Sequence, residues 1–450
     1  MYIDKSGKYR PFLLSILLIL ALLAGCTSAN TPPKNATAAH TPASGGTPLG
    51  ITVPVCRLAS CTNFAPVAGV RPFIDTWENI HVFQTFDRNV SDPAASAKSY
   101  DFVWGALPAN VDAYRASNPN ILLSYYVPMH VDDGTFTNQD LGHQRGLAYW
   151  KTVHPDWILY KCDRTTPAYE YQYSNVPFDI TNPDVINWQM QSYIYLASQH
   201  GYDAIAVDNV LMENLFHACG HYDTNGNWVQ RYTGNTDDAQ WQDDIISWLT
   251  RMQAAFHALA HPLLLIANFS FGALALNSAR IQQALAHLDG VLDEGGFTHF
   301  GEYHLPQAQW LQMMHYVDAI QRQNKPFFLI NEFQKAMKHE DIEWVLGSYL
   351  MCKQRLASIY ISQFQGYGSD NRIPQYSLQI GSPRDDMYQA QSVYWRDYTR
   401  GVVVVNPGES SVTISLASPH SSKSYLDPFG QPIGQTLTLP ARSAKILLAH

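Results

Sequence analysis

Charge is scarce in this chain. Asp, Glu, Lys and Arg make up 15% of its 450 residues, and acids outnumber bases 38 to 29. The net charge of −9 argues against a nucleic acid or an anionic membrane surface as the partner. No Gly-x-Ser-x-Gly elbow is present, which removes the serine-nucleophile hydrolase route. No Gly-rich phosphate loop follows a strand, which counts against a doubly wound nucleotide-binding sheet. His217, Cys219 and His221 lie close together, but Gly220 breaks any shared helical face and no fourth ligand is evident. No metal is expected there, and nothing points to a cofactor. Asp223 to Asn227 begins like a calcium loop, yet its twelfth position is Gly234 instead of Glu. An Asn-Gly hairpin turn between Tyr222 and Trp228 is the better reading.

What is present starts with an address. Lys5, Lys8 and Arg10 precede an apolar run from Phe12 to Leu23 that is too short to span a membrane as a stable helix. It ends in Leu23-Ala24-Gly25-Cys26, which resembles the bacterial lipoprotein signal. That resemblance implies cleavage before Cys26, lipidation of its thiol, and an extracytoplasmic protein anchored to the cell membrane by more than one acyl chain. Residues 1–25 are therefore expected to be a signal peptide. Residues 26–62, rich in Thr, Pro, Ala and Ser, read as a flexible tether. In that oxidising compartment disulfides are allowed. Cys56 and Cys61 enclose a short loop and are the first candidates for a pair; Cys162 with Cys219 is a second. Cys352 sits in an apolar helical pattern and packs as a small hydrophobe.

Eight short apolar runs recur along the middle of the chain. They are His81–Phe86, Phe102–Gly105, Ile121–Val127, Ala204–Asp208, Leu263–Asn268, Gly290–Asp293, Phe327–Asn331 and Ser358–Ser362. Helical patterns lie between them, as at Pro183–His200, Asp237–Ala260 and Trp310–Gln323. Alternation of this kind means parallel pairing, because parallel neighbours need long crossovers. Eight units predict an α/β fold, a (β/α)8 TIM barrel over residues 63–390, with a doubly wound sheet as the alternative. From residue 391 to 450 the runs follow one another without helices, which predicts a small antiparallel β-sandwich-like domain. The stretch His130 to Asp179 has no clear period but holds Trp150, Trp157, Tyr160, Tyr169, Tyr171 and Tyr173, and is expected to wall a cleft.

The ends of the runs carry polar groups. Asp208, Asn209, Asn268, Asp293, Asn331 and Gln363 follow apolar stretches, where a purely structural role would not call for them repeatedly. In a parallel barrel these ends share one rim, where catalytic groups gather. Two carboxylates on one rim are the minimum equipment for cutting a glycosidic bond. Asp208 ends the fourth run and Glu294 follows the sixth, so the two face each other across the mouth. Asp293 and Glu332 compete with Glu294 as the second carboxylate. Asn209, Asn268, Asn331 and Gln363 are candidate substrate-binding residues, and Trp104, Tyr125 and Tyr367 are candidates for stacking on sugar rings.

Two segments carry a family resemblance. Phe178-Asp-Ile-Thr-Asn-Pro-Asp-Val185 followed by Tyr202-Asp-Ala-Ile-Ala-Val-Asp-Asn209 is similar to the signature D-x-T-N-P-x-V … G-F-D-G-V-F-x-D-N of barrel glycosidases. With Asp289-Gly-Val-Leu-Asp-Glu-Gly295 and the strand-rich tail, the chain resembles hypothetical glycosyl hydrolase family 15. Ala204 departs from the usual Gly but leaves Asp208 in place. The resemblance implies a barrel with a C-terminal β-domain and a carbohydrate substrate. Similarity to the α-galactosidase clan, which draws its nucleophile from strand 4 and its acid from strand 6, implies Asp208 as nucleophile and Glu294 as acid/base of a retaining reaction. The expectation is a monomeric glycoside hydrolase acting on a poly- or oligosaccharide. A non-catalytic glycan-binding surface lipoprotein on the same scaffold is the alternative, and a metal-dependent hydrolase ranks behind both.

Overall fold

In the computed structural model, residues 70–73, 76–78, 80–132, 146–169, 175–363, 368–416 and 423–450 are described. The expected signal peptide and tether, Cys26, the candidate pair Cys56 and Cys61, Tyr171, Tyr173 and Tyr367 lie outside them.

Eight parallel strands close into a barrel: β1 (His81–Thr85), β2 (Phe102–Trp104), β3 (Leu122–Pro128), β4 (Ala204–Leu211), β5 (Leu264–Ser270), β6 (Gly290–Asp293), β7 (Phe327–Phe333) and β8 (Ala357–Gln363). Each strand pairs with its sequence neighbours, and β1 pairs with β8 to complete the ring. The open, doubly wound alternative is thereby excluded. Helices return the chain between strands, among them α1 (Pro183–His200) before β4, α2 (Ala239–His257) before β5, α3 (Gln307–Arg322) before β7 and α4 (His339–Cys352) before β8.

Side-chain parity sorts each strand. Side chains alternate between the barrel axis and the helical shell, because the strand period is two. On β4, Ala204 and Ala206 face the axis while Ile205 and Val207 pack outward under the helices. The small inward pair leaves room for Phe83, Phe102 and Phe328, with the rings of Phe102 and Phe328 4.4 Å apart. Leu264 and Ile266 on β5, Leu292 on β6, and Phe328 and Ile330 on β7 complete the plug. The interior is a packed core, so the mouth above it is the place left for chemistry.

The two similar segments Asp203–Asp208 and Asp289–Glu294, each opening and closing on an acid, have two physical jobs. The first acid of each copy works at the floor: Asp203 accepts the amide of Leu123 on β3 at 2.9 Å and pairs with Arg71 and Arg115. Asp289 likewise accepts the Leu265 amide of β5 at 2.8 Å and meets His257 at 2.8 Å. The last acids stand at the rim. The segment Asp179-Ile-Thr-Asn-Pro is a helix starter. Asp179 accepts the amide and hydroxyl of Thr181 at 2.9 and 2.6 Å, Asn182 caps α1 by accepting the Asp184 amide, and Pro183 opens it. Burial works to raise the Asp179 carboxyl, but His221 at 2.9 Å and Thr181 outweigh it and hold it low.

The insertion between β3 and α1 folds on its own aromatic core. Trp150 (2% exposed), Trp157 and Tyr160 are buried with Phe178, so they hold the insertion together and offer no wall to a ligand. A disulfide joins Cys162 to Cys219, and Ala218–Tyr222 pairs with Trp228–Gln230 through the hairpin turn expected at Asn225-Gly226. Cys352 is a free, buried thiol.

The C-terminal region forms a six-stranded antiparallel sheet from Tyr388 onward and a second, two-stranded ladder, Val412–Ser415 with Thr436–Leu439. Its sheet is clamped to α4. Arg396, 1% exposed, donates to the carbonyls of Leu350 and Lys353 at 2.7 Å, which satisfies the open end of that helix. Gly347 packs directly under Ala444.

Candidate active site

Asp208 keeps the parity of Ala204 and Ala206 and therefore points over the axis. A β-bulge sharpens this. The β4–β5 register runs Val207↔Ala267 and then Val210↔Phe269, so Asp208 and Asn209 together oppose Asn268 alone. Asn209 takes a left-handed conformation (φ 57) to absorb the extra residue. The bulge lets the Asn209 amide turn back onto Asp208 Oδ1 at 2.9 Å. Two side chains complete the setting: Tyr126 donates its hydroxyl to Asp208 Oδ2, and Asn268 Nδ2 donates to Oδ1 at 2.8 Å. Asp208 thus accepts from three donors and is half-buried.

The same Asn268 nitrogen lies 3.2 Å from Glu294 Oε2. The two carboxylate oxygens sharing that nitrogen are no farther apart than 2.8 and 3.2 Å laid end to end. Glu294 follows β6 by one residue with the inward parity of Leu292, and is partly open to solvent.

Parity separates the two competing acids. Asp293 faces the shell, where it accepts the Gly296 amide at 2.7 Å, and burial pushes its carboxyl up to about 6. It organises the β6 loop and does not reach the mouth. Glu332 continues the inward series Phe328, Ile330 on β7 but is 6% exposed. Burial, reinforced by the charge of Glu294, pushes it up to about 8, so it holds its proton at neutral pH. Among the described residues, its Oε1 has no hydrogen-bond partner.

The expected binding residues divide the same way. Asn268 is a bridge between the acids, and Gln363 is exposed at the end of β8. Asn331 has outward parity and is fully buried; its Oδ1 accepts the Phe297 amide at 2.8 Å, fastening the β6 loop to β7. Gly296, in a left-handed conformation (φ 51), lies so close that a Cβ would strike Ile330 and Asn331. Trp104, at 2% exposure, belongs to the barrel plug and offers no face for stacking. Tyr125 points into the shell, its ring 5.5 Å from Tyr202. Its neighbour Tyr126 has the parity that reaches Asp208, and this residue was not among the expected ones. No group of residues suited to a metal ion occurs among the described residues.

A closed parallel barrel with two acids tied together at its C-terminal rim has the equipment that cutting a glycosidic bond requires. Over residues 115–402 the sequence matches the family model for hypothetical glycosyl hydrolase family 15, and the chain belongs to that family. No curated protein matches it. Among solved structures it is similar to the glycoside hydrolase domain of a PelA variant from Pseudomonas aeruginosa, with 14% identity over 64% of this chain and 95% of that one and a TM-score of 0.41. It is similar also to an Anoxybacillus alpha-amylase (10% identity, 83% and 98% covered, TM-score 0.45) and to Aspergillus fumigatus Ega3 in complex with galactosamine (13%, 66% and 95%, 0.38).

Proposed function

We propose that this chain is a retaining glycoside hydrolase of a poly- or oligosaccharide, with Asp208 as nucleophile and Glu294 as acid/base, held outside the cell membrane through a lipidated Cys26. The observation that carries the mechanism is the shared nitrogen of Asn268. Its two bonds hold one oxygen of each acid within a span below the roughly 6.5 Å at which inverting geometry begins, which favours the retaining arrangement. Little room is left between the acids for the water that an inverting enzyme must hold.

In the first step an Asp208 oxygen attacks the anomeric carbon while the glycosidic C–O bond breaks and the Glu294 proton passes to the leaving oxygen. In the second, water attacks the same carbon, gives its proton to Glu294 and releases Asp208. Tyr126, Asn268 and the Asn209 amide aim the nucleophile by donating to it. Glu332, close enough for its proton affinity to feel the charge of Glu294, is a neutral neighbour of the acid/base at pH 7. Extracytoplasmic anchoring rests on the leader and on Leu23-Ala-Gly-Cys26. The proximity of two rim acids favours catalysis over the glycan-binding alternative, which requires only one.

The test is hydrolysis of a panel of polysaccharides and aryl glycosides by the wild type, Asp208→Asn and Glu294→Gln. Turnover by the wild type with a loss of about a thousandfold or more in Asp208→Asn is expected. Wild-type rates in both variants would contradict the assignment.

A further inference from the structure

Alternation along β1 sends Val82 to the helical shell and Phe83 to the barrel axis, so the shell positions that follow are Gln84 and then Phe86. Phe86 departs from that order. Its backbone is left-handed (φ 46), a conformation that disfavours side-chain-bearing residues, and its ring rests on the barrel plug together with Tyr126. The reversal is pinned on both sides. The Phe86 amide donates to the Trp104 carbonyl at 2.6 Å, and Gln84 Nε2 donates to the Phe86 carbonyl at 2.6 Å. The displaced ring has a definite neighbour: its centroid lies 4.9 Å from that of Tyr126, with 60° between the planes. Trp104 meets the same tyrosine edge-on at 6.3 Å. Gly105 (φ 71) makes the close approach possible, because a Cβ there would lie 2.7 Å from the Phe86 ring and 3.1 Å from Tyr126 Cβ. Arg88 covers part of the Phe86 ring, its guanidinium carbon 5.1 Å from the centroid. The strained residue thus serves a contact with one tyrosine, and that tyrosine donates its hydroxyl to Asp208 Oδ2.

We propose that Phe86 is a positioning residue that sets the Asp208 nucleophile through Tyr126. The proposal rests on Asp208 being the nucleophile. A tyrosine hydroxyl stands at the end of a long lever, and a modest turn about the side-chain bonds carries it out of hydrogen-bond range. With rings packed against it and no side chain on Gly105, Tyr126 is restricted to the orientation that meets Asp208 Oδ2. Removing the Phe86 ring frees the lever while Asp208, Tyr126 and Glu294 all remain. The loss therefore falls on kcat, and it is bounded by the loss from deleting the hydroxyl itself.

The experiment is a double-mutant cycle on a glycan that the wild-type protein cleaves in the panel above. Phe86→Ala lowers kcat about tenfold with KM within about twofold of wild type. Phe86→Tyr, which keeps the ring, restores kcat to within about threefold. In the Tyr126→Phe background no hydroxyl remains to be aimed, and Phe86→Ala costs less than about twofold further. Phe86→Leu carries the same expectations with less loss of volume, and circular dichroism verifies that each variant is folded. An unchanged kcat in folded Phe86→Ala or Phe86→Leu would overturn the proposal, as would the full loss repeated in the Tyr126→Phe background. A raised KM with kcat intact would overturn it too, since the ring would then meet substrate. Absence of turnover by the wild type on every glycan would sink the glycosidase reading and this proposal together, a result distinct from a cycle that fails.

Discussion

The side-chain amide of Asn268 on β5 joins Asp208 on β4 to Glu294 beyond β6: its Nδ2 donates to Asp208 Oδ1 at 2.8 Å and stands 3.2 Å from Glu294 Oε2. One nitrogen with two protons can serve both acceptors at once. The pair therefore has a built-in spacer, supplied by the strand between the two that carry the acids. Asn268→Ala removes the spacer while leaving both acids, and kcat should fall by roughly tenfold to a hundredfold, the loss of about 1.5–3 kcal/mol for a hydrogen bond to a charged group. Steady-state kinetics on any cleaved substrate checks this, with kcat falling more than KM rises.

Tyr126→Phe deletes only the hydroxyl that donates to Asp208 Oδ2. The ring, 4.9 Å from that of Phe86, remains packed. A fall in kcat of about tenfold to a hundredfold with an almost unchanged melting temperature is expected. Tyr125→Phe is the control. That side chain faces the shell beside Tyr202, and activity should stay within about twofold of wild type.

Glu332 makes stability depend on pH in a definite direction. Its folded carboxyl is raised to about 8 by burial, from an ordinary value of 4.5. The folded chain keeps a proton there that the unfolded chain has already lost. The stabilisation is complete below about pH 4.5 and disappears as the pH climbs towards 8, by at most about 1.4 kcal/mol for each pH unit. Asp293, raised to about 6, adds to the same trend at the lower end of that window. Glu332→Gln removes the titration at one site. Its melting temperature should fall less than that of the wild type between pH 5 and pH 8, measured by calorimetry. Parallel curves for the two proteins would contradict a buried, neutral Glu332.

Trp104→Ala opens a hole in the barrel plug, so its signature is structural. Removing a fully buried tryptophan costs about 3–5 kcal/mol. Chemical denaturation should report that loss. A fold left at wild-type stability with weakened substrate binding would instead restore the stacking role expected from the sequence.

Much of this arrangement was legible before any coordinates. Eight apolar runs separated by helical patterns, with acids closing the fourth and following the sixth, led to the closed ring and to Asp208 with Glu294 on one rim. What failed was finer than the element. Tyr125 and Tyr126 are adjacent, and a short run such as Leu122–Pro128 has no polar face to reveal which of them points inward, since both faces of a parallel barrel strand are buried. The same ambiguity misplaced Asn331 and Trp104, one fastening a loop from the shell side and the other filling the plug. The bulge at Asp208-Asn209 left no trace in the sequence beyond an Asn tolerant of positive φ. Sequence spacing left the Cys162–Cys219 pair open, because the hairpin that brings Cys219 to the insertion is a long-range contact. Trp150, Trp157 and Tyr160 of the insertion face a second small core and not a cleft.

The most direct test of the central claim is mass spectrometry of the Glu294→Gln protein quenched during turnover of an activated glycoside of the cleaved sugar. Without the acid/base, release from the nucleophile slows and the glycosyl-enzyme accumulates. The account predicts one added sugar mass on the peptide carrying Asp208. An adduct on a peptide carrying Glu332 or any other acid would contradict it, as would a product of inverted anomeric configuration with no adduct at all.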